Sequence, residues 1–164
     1  MAGKGVLFAL EAVDERSMLS FRDEKARAAW VANVVEERWD AGWLHAMEGL
    51  WYPVHFCLHG SAAIPIEGAA AEAKAIFGGT SLGVPNIYRI DYKDTGLVRL
   101  VSNALGRMRD EAIWARASLV DWKDYQGPRD DNLQVVVVDE VHALADFYRR
   151  AADAGRAVIF TVNS

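Results

Sequence analysis

Hydrophobic positions along this chain follow two periods, and the changes from one to the other outline its elements. Gly5 to Val13 (GVLFALEAV) reads as a strand that stops at Asp14, Glu15 and Arg16. Ser20 then suits a helix N-cap, with Asp23 and Glu24 in the first turn, where negative charge meets the positive end of the dipole. Trp30, Val31, Val34 and Val35 recur at helical spacing and predict one buried face. Ala69 to Phe77 predicts one or two helical turns stopped by Gly78 and Gly79. Asn86 to Tyr92 alternates Ile87, Arg89 and Asp91 against Tyr88, Ile90 and Tyr92, the period of a short strand. Asp94 can cap a helix whose apolar face is Leu97, Leu100, Val101, Ala104, Leu105 and Met108.

Four consecutive valines in LQVVVVDEVHALADFYRRAADAG favour a strand by propensity. Periodicity overrides them. Leu133, Val137, Val141, Leu144, Tyr148 and Ala151 step by three or four, while Asp139, Asp146, Arg149, Arg150 and Asp153 fall on the other side. A helix ending at Gly155, a natural left-handed cap, is the prediction, with Ala157 to Val162 as a closing strand.

Asp40 to His59 admits two readings. As one helix it carries an apolar stripe of Leu44, Met47, Trp51, Val54 and Leu58. Beside that stripe, about 100° round the wheel, run His45, Glu48, Tyr52, His55 and His59. Pro53 opposes this, because an interior proline removes a hydrogen bond and costs about 3 kcal/mol or more. In the second reading Pro53 is the first helical residue and the chain turns at Trp51–Tyr52. His55 and His59 sit at i and i+4 in either case.

Few strands separated by helices predict an α+β fold: one compact domain over residues 1–164, mostly helical. Its small sheet takes strands near the N-terminus, over 86–92 and at the C-terminus. A net charge of −5 supplies no basic footprint for nucleic acid or for an anionic membrane. No apolar stretch approaches bilayer length, and Val6 to Leu10 is too short for a signal-peptide core. One cysteine cannot form an internal disulfide and fits a reducing compartment, so a cytoplasmic protein is expected.

Three stretches carry a resemblance: WYPVHFCLHGS, in which Trp51, Val54, His55, Phe56, Leu58 and Gly60 follow a W-x-x-L-H-F-x-L-x-G pattern; AIFGGTSLG; and LADFYRRAADAGRAVIF. Together, over residues 45–163, these resemble the YfbM-like family of small bacterial proteins of unknown function. The resemblance implies a single α+β domain and brings no catalytic residues. Pro53, inside the motif's helix, and His59, where threonine is usual, depart from the pattern, and residues 109–130 are hard to match to it.

The residues that could carry chemistry each have a structural counterpart reading. His55 and His59, one turn apart, have the spacing of a helical metal pair, with Trp51 and Tyr52 as the rest of a candidate pocket and Glu48 as a candidate base. Phe56 stands where the HExxH motif needs glutamate. Otherwise His55 is a core histidine bonded to a carbonyl, and His59 caps the helix end. Cys57 has no neighbouring Lys or Arg to favour a thiolate and suits a small apolar role. Gly78 to Gly83 (GGTSLG) can cradle an anion or simply reverse the chain. Trp30, Trp39, Trp43 and Trp51 fall within 22 residues, and Trp39 with Trp43 form a candidate interface. Glu36–Glu37 and Asp130–Asp131 need no role beyond a solvated surface and, for the second pair, a helix start.

Two functions follow. The first is a protein-interaction module without chemistry of its own, for example the neutralising partner of a basic protein, where opposite charge speeds association. The second is a metal- or small-ligand-binding protein, with a hydrolase as one version, using His55 and His59. No cofactor is expected apart from a divalent metal under the second reading.

Overall fold

In the computed structural model, which describes residues 3–38, 42–123, 125, 127 and 131–163, a five-stranded antiparallel sheet runs in the order β2-β1-β5-β4-β3. Its strands are β1 (Gly5–Leu10), β2 (Leu44–Glu48), β3 (Thr80–Ser81), β4 (Tyr88–Lys93) and β5 (Ala157–Asn163). The helices among the described residues are α1 (Ala12–Ser20), α2 (Glu24–Trp30), α3 (Trp51–His59), α4 (Thr95–Arg107), α5 (Asp110–Ala117) and α6 (Leu133–Asp153). The expected α+β architecture is present, with helices on both sheet faces. None of the described helices is long and apolar enough to cross a membrane.

Strand alternation sorts the core into two. Leu7, Ala9, Val158 and Phe160 face one way, onto Val54, Cys57 and Leu58 of α3, Val98 and Val101 of α4, Ile113 of α5, and Val141, Leu144 and Tyr148 of α6. Phe8, Leu10, Tyr88, Ile90 and Ile159 face the other way, onto Met18, Ala28, Val31 and Val35. Each fully buried side chain of this kind contributes about 1.5–3 kcal/mol, so α6, with seven buried residues along its length, is the main anchor of the larger layer. Its valine run is helical, and it ends as expected: Gly155 takes φ +64, and Arg156 N–H reaches back to Ala151 O at 2.9 Å.

Several boundaries differ from the sequence reading. β1 stops at Leu10, not Val13, because Glu11 turns the chain and its carbonyl accepts from Glu15 N at 2.9 Å; Val13 is then an exposed helical residue. Ser20 closes α1, donating to Ser17 O at 2.6 Å, and the cap of the next helix is Asp23, which accepts from Ala26 N at 2.8 Å. The alanine-rich segment forms only a 3-10 turn, Ala71–Lys74. β4 begins two residues later than predicted, after Asn86 at φ +58. On α4 the cap is Asp94, accepting from Leu97 N at 2.8 Å, but Val98 takes the core position predicted for Leu100, which is 59% exposed.

The largest difference lies at residues 44–59. No single helix spans them. β2 occupies Leu44–Glu48, Glu48 takes φ +48, Leu50 N–H bonds Met47 O at 2.8 Å, and α3 starts at Trp51. The second reading was nearer, although the turn lies at Gly49–Leu50, two residues before Trp51–Tyr52. Pro53 is the third helical residue, inside the first turn, where its N–H would have had no intrahelical acceptor.

Candidate functional site

α3 places His55 and His59 on one face. Their rings stack with centroids 5.4 Å apart and planes 12° from parallel. His55, 1% exposed, lies 2.8 Å from the Ala63 carbonyl through Nε2, so that nitrogen carries the proton and the lone pair is on Nδ1. Nδ1 is buried with no hydrogen-bond partner. Burial, against the help of that carbonyl, pulls the His55 pKa down to about 4, and His59 and Arg89 push the same way. The ring is neutral. His59 is half-buried, and its Nδ1 lies 3.0 Å from Ser61 Oγ.

Trp51 leans across onto Gly5, and its indole N–H donates to Gly3 O at 2.9 Å. Trp51 and His55 both meet the ring of Phe77, at 5.4 and 4.6 Å, while Tyr52 meets Trp51 edge-on at 6.1 Å. The four residues of the candidate pocket therefore form one aromatic ladder. His45 and Glu48, on β2, stand apart from it. His45 Nε2 lies 2.6 Å from Glu140 Oε1, and Glu48 meets Lys4 at 3.6 Å. Among the described residues no three His, Cys, Asp or Glu are grouped to hold a metal ion.

Beneath Phe77 runs a row of charges that the sequence reading left without a role. Arg89, Asp91 and Lys93 share the β4 face that meets the larger helical layer. The Arg89 guanidinium sits 4.3 Å over Phe77 and pairs with Asp91, which is 2% exposed. Lys93 is fully buried and donates to Ile76 O at 2.9 Å; burial lowers its pKa to about 8. Tyr148 donates to Ala75 O at 2.5 Å, so two side chains pin consecutive carbonyls. The glycines that follow are set by β4. A Cβ on Gly79 or Gly83 would stand 2.1 Å from the carbonyl oxygen of Tyr92 or Tyr88, and Gly79 takes φ +80. That close approach is the pairing of β3 with β4; the segment is one arm of a hairpin, and the chain reverses after it, at Val84–Tyr88, not within Gly78–Gly83 as expected.

Cys57 has no exposed surface and lies 3.6 Å from Ile113 O; burial pushes the thiol up to about 11. Trp43 is half-buried beneath the Arg156 guanidinium, 3.8 Å from its ring centre. Trp39, its predicted companion at an interface, lies outside the described residues, as does Asp130.

A cleft lies on the other sheet face. After α2 the backbone widens into a π turn, Val31–Val35, closed by Glu36 N–H to Val31 O at 3.0 Å. Glu36 thereby reaches the sheet. Its Oε1 accepts from Thr161 Oγ1 at 2.8 Å and from the Tyr88 hydroxyl. Tyr88 and Thr161 are 7% and 1% exposed, and burial together with the carboxylate pushes the tyrosine pKa up. A cleft of about 240 Å³ opens beside this carboxylate, walled by Val6, Phe8, Leu44 and Ala46, with Lys4 and Glu48 also lining it. Among the described residues no Lys or Arg pairs with Glu36. The expectation of a plain solvated surface holds for exposed Glu37 and fails for Glu36. The available signal was two hydroxyls, Tyr88 and Thr161, on inward phases of apolar strands, each needing an acceptor.

Comparison with known proteins places the chain. A family model described as "Domain of unknown function (DUF1877)" matches residues 3–161. The chain belongs to that family. The crystal structure of a protein of unknown function, YfbM from Escherichia coli, is similar in fold, with a TM-score of 0.69 at 12% identity over 97% of this chain and 99% of that one. No curated protein matches the chain. The YfbM-like resemblance read from its motifs is borne out, and neither the family model nor the similar structure brings a specific function.

Proposed function

We propose that this DUF1877 protein is a cytoplasmic, bacterial protein-interaction module that recognises a basic partner at the cleft beside Glu36. One observation carries the reading. A half-buried carboxylate sits at an apolar cleft with both of its described donors neutral, in a chain of net charge −5. A carboxylate with reduced hydration attracts a cation more strongly than one in bulk water, and the acidic chain steers a basic partner toward it. The bacterial origin of YfbM and the single buried thiol support the assignment of source and compartment. By contrast, the residues that suggested chemistry, His55, Cys57 and His59, are turned to carbonyls, a serine hydroxyl and neighbouring rings.

The test is site-specific photo-crosslinking in the native host from Glu48, an exposed residue of the cleft lining. The reading expects a basic protein to be captured, capture to fall on Glu36→Gln and Ala46→Arg, and binding of the purified pair to weaken with salt. Capture indifferent to both substitutions, or binding indifferent to salt, overturns it.

A further inference from the structure

We infer that the cleft is selective for a primary alkylammonium group, the end of a lysine side chain, over a guanidinium. The inference rests on the cleft being the recognition surface and names the chemistry it takes.

The selectivity comes from how Glu36 is already used. Both described donors, Tyr88 and Thr161, converge on Oε1. Two hydrogen bonds fill the in-plane lone pairs of that oxygen, so a ligand is left with Oε2 alone. A guanidinium gains its advantage by presenting two parallel N–H groups to both oxygens of a carboxylate. That fork cannot close here. An ammonium is a point charge that needs a single strong acceptor, and Oε2 supplies it.

The walls agree with the head group. Val6, Phe8 and Leu44 line the same cleft as the carboxylate with apolar surface, and methylenes pack on such surface while the charged end seeks its partner. Lys4, the chain's own ammonium on the cleft lining, is exposed and lies 3.6 Å from Glu48. Neither donor to Glu36 is free to turn away at low cost, since both side chains are buried. The π turn fixes the backbone that carries this carboxylate, because Glu36 N–H closes its wide ring. The acceptor is therefore preorganised, and a ligand does not have to order it.

The same chemistry has two sources, a free alkylamine and a lysine on a partner protein. Methyl-resolved NMR titrations of the full chain separate them, using n-butylammonium, n-butylguanidinium and n-butanol as probes on one stem. The expected result is a shift of the Leu44, Val6 and Thr161 methyl signals by n-butylammonium, with n-butylguanidinium weaker by several-fold. Glu36→Gln, which keeps an oxygen for Tyr88 and Thr161, lowers n-butylammonium affinity by about tenfold or more. Micromolar binding of 1,5-diaminopentane identifies a free amine. Millimolar binding of every free amine, together with tighter binding of a lysine-containing peptide, identifies a protein side chain. Equal or tighter binding of the guanidinium, equal binding of n-butanol, or no effect of Glu36→Gln overturns the inference. If the amines fail while Ala46→Arg still abolishes crosslinking, the interaction reading stands and only the lysine selectivity falls. If both fail, both fall.

Discussion

The Nε2 of His55 lies 2.8 Å from the carbonyl oxygen of Ala63, eight residues further along the chain, while the other ring nitrogen stays buried and unpartnered. The fold thus keeps this imidazole neutral, with a pKa of about 4 against 6.5 for the free residue. Between those values the unfolded chain takes up a proton that the native protein refuses. The contribution of His55 is complete above pH 6.5 and is lost as pH falls toward 4, a change of about 3 kcal/mol. Urea unfolding at pH 7 and pH 4.5 measures it. His55→Gln, which titrates at neither pH, is expected to show a clearly shallower loss than the native chain. Parallel losses would mean that carboxylates carry the whole effect.

The same geometry bears on metal binding. A shared ion needs a lone pair from each ring aimed at one point. The His55 lone pair is buried, and the two rings lie face to face. Protein purified without chelator is expected to carry well under one equivalent of zinc, nickel or iron by elemental analysis, and added zinc is expected to leave Tm unchanged. A stoichiometric metal that disappears with His55→Ala or His59→Ala would restore the metal-site reading.

Long-range partnership separates what was legible in the sequence from what was not. Asp94, α6 and Gly155 were readable because cap, periodicity and stop all lie within one element. β2 was hidden by coincidence. Leu44 and Met47 are spaced as on a helix, yet on the strand they point to opposite faces, and only Gly49 signalled the turn. The histidine stretch was located correctly on α3, but its inward aim depends on Ala63, Phe77 and Arg89, which belong to other segments. Glu36 was dismissed because its donors are 52 and 125 residues away, and nothing local distinguishes it from Glu37.

Lys93 offers an alkaline counterpart to His55. Its ammonium has no exposed surface and a pKa lowered to about 8 by burial, partly opposed by Asp91. From pH 8 to 10.5 the native protein releases a proton that the unfolded chain retains, so this group makes stability rise with pH. Cys57 opposes the rise, because its thiol is pushed up to about 11 while the unfolded thiol ionises near pH 9; Tyr88, Tyr92 and Tyr148, raised by burial, oppose it above about pH 10. Between pH 8 and 9.5 the Lys93 contribution is expected to rise by about 2 kcal/mol, read as the difference between the native chain and Lys93→Met, in which Cys57 is unchanged. Parallel profiles of the two chains would show that the ammonium is better hydrated than its burial implies.

Trp51 joins the N-terminal strand to α3 through a contact that tolerates no side chain on Gly5. A Cβ there would stand 2.6 Å from Trp51 Cδ1, at a point where the β1–β2 register also shifts. The indole cannot simply swing away, because its N–H is held by Gly3 O and its face by Phe77 and Phe160. Gly5→Ala is therefore an overpacking change with little room to relax, expected to cost about 1–3 kcal/mol in urea unfolding. The strain belongs to a pair, so the two sites should not be additive. In a Trp51→Gly background, which removes the three struck atoms Cβ, Cγ and Cδ1, the same Gly5→Ala change should cost less than half as much. An equal cost in both backgrounds would assign the glycine requirement to the β1–β2 bulge instead of the indole.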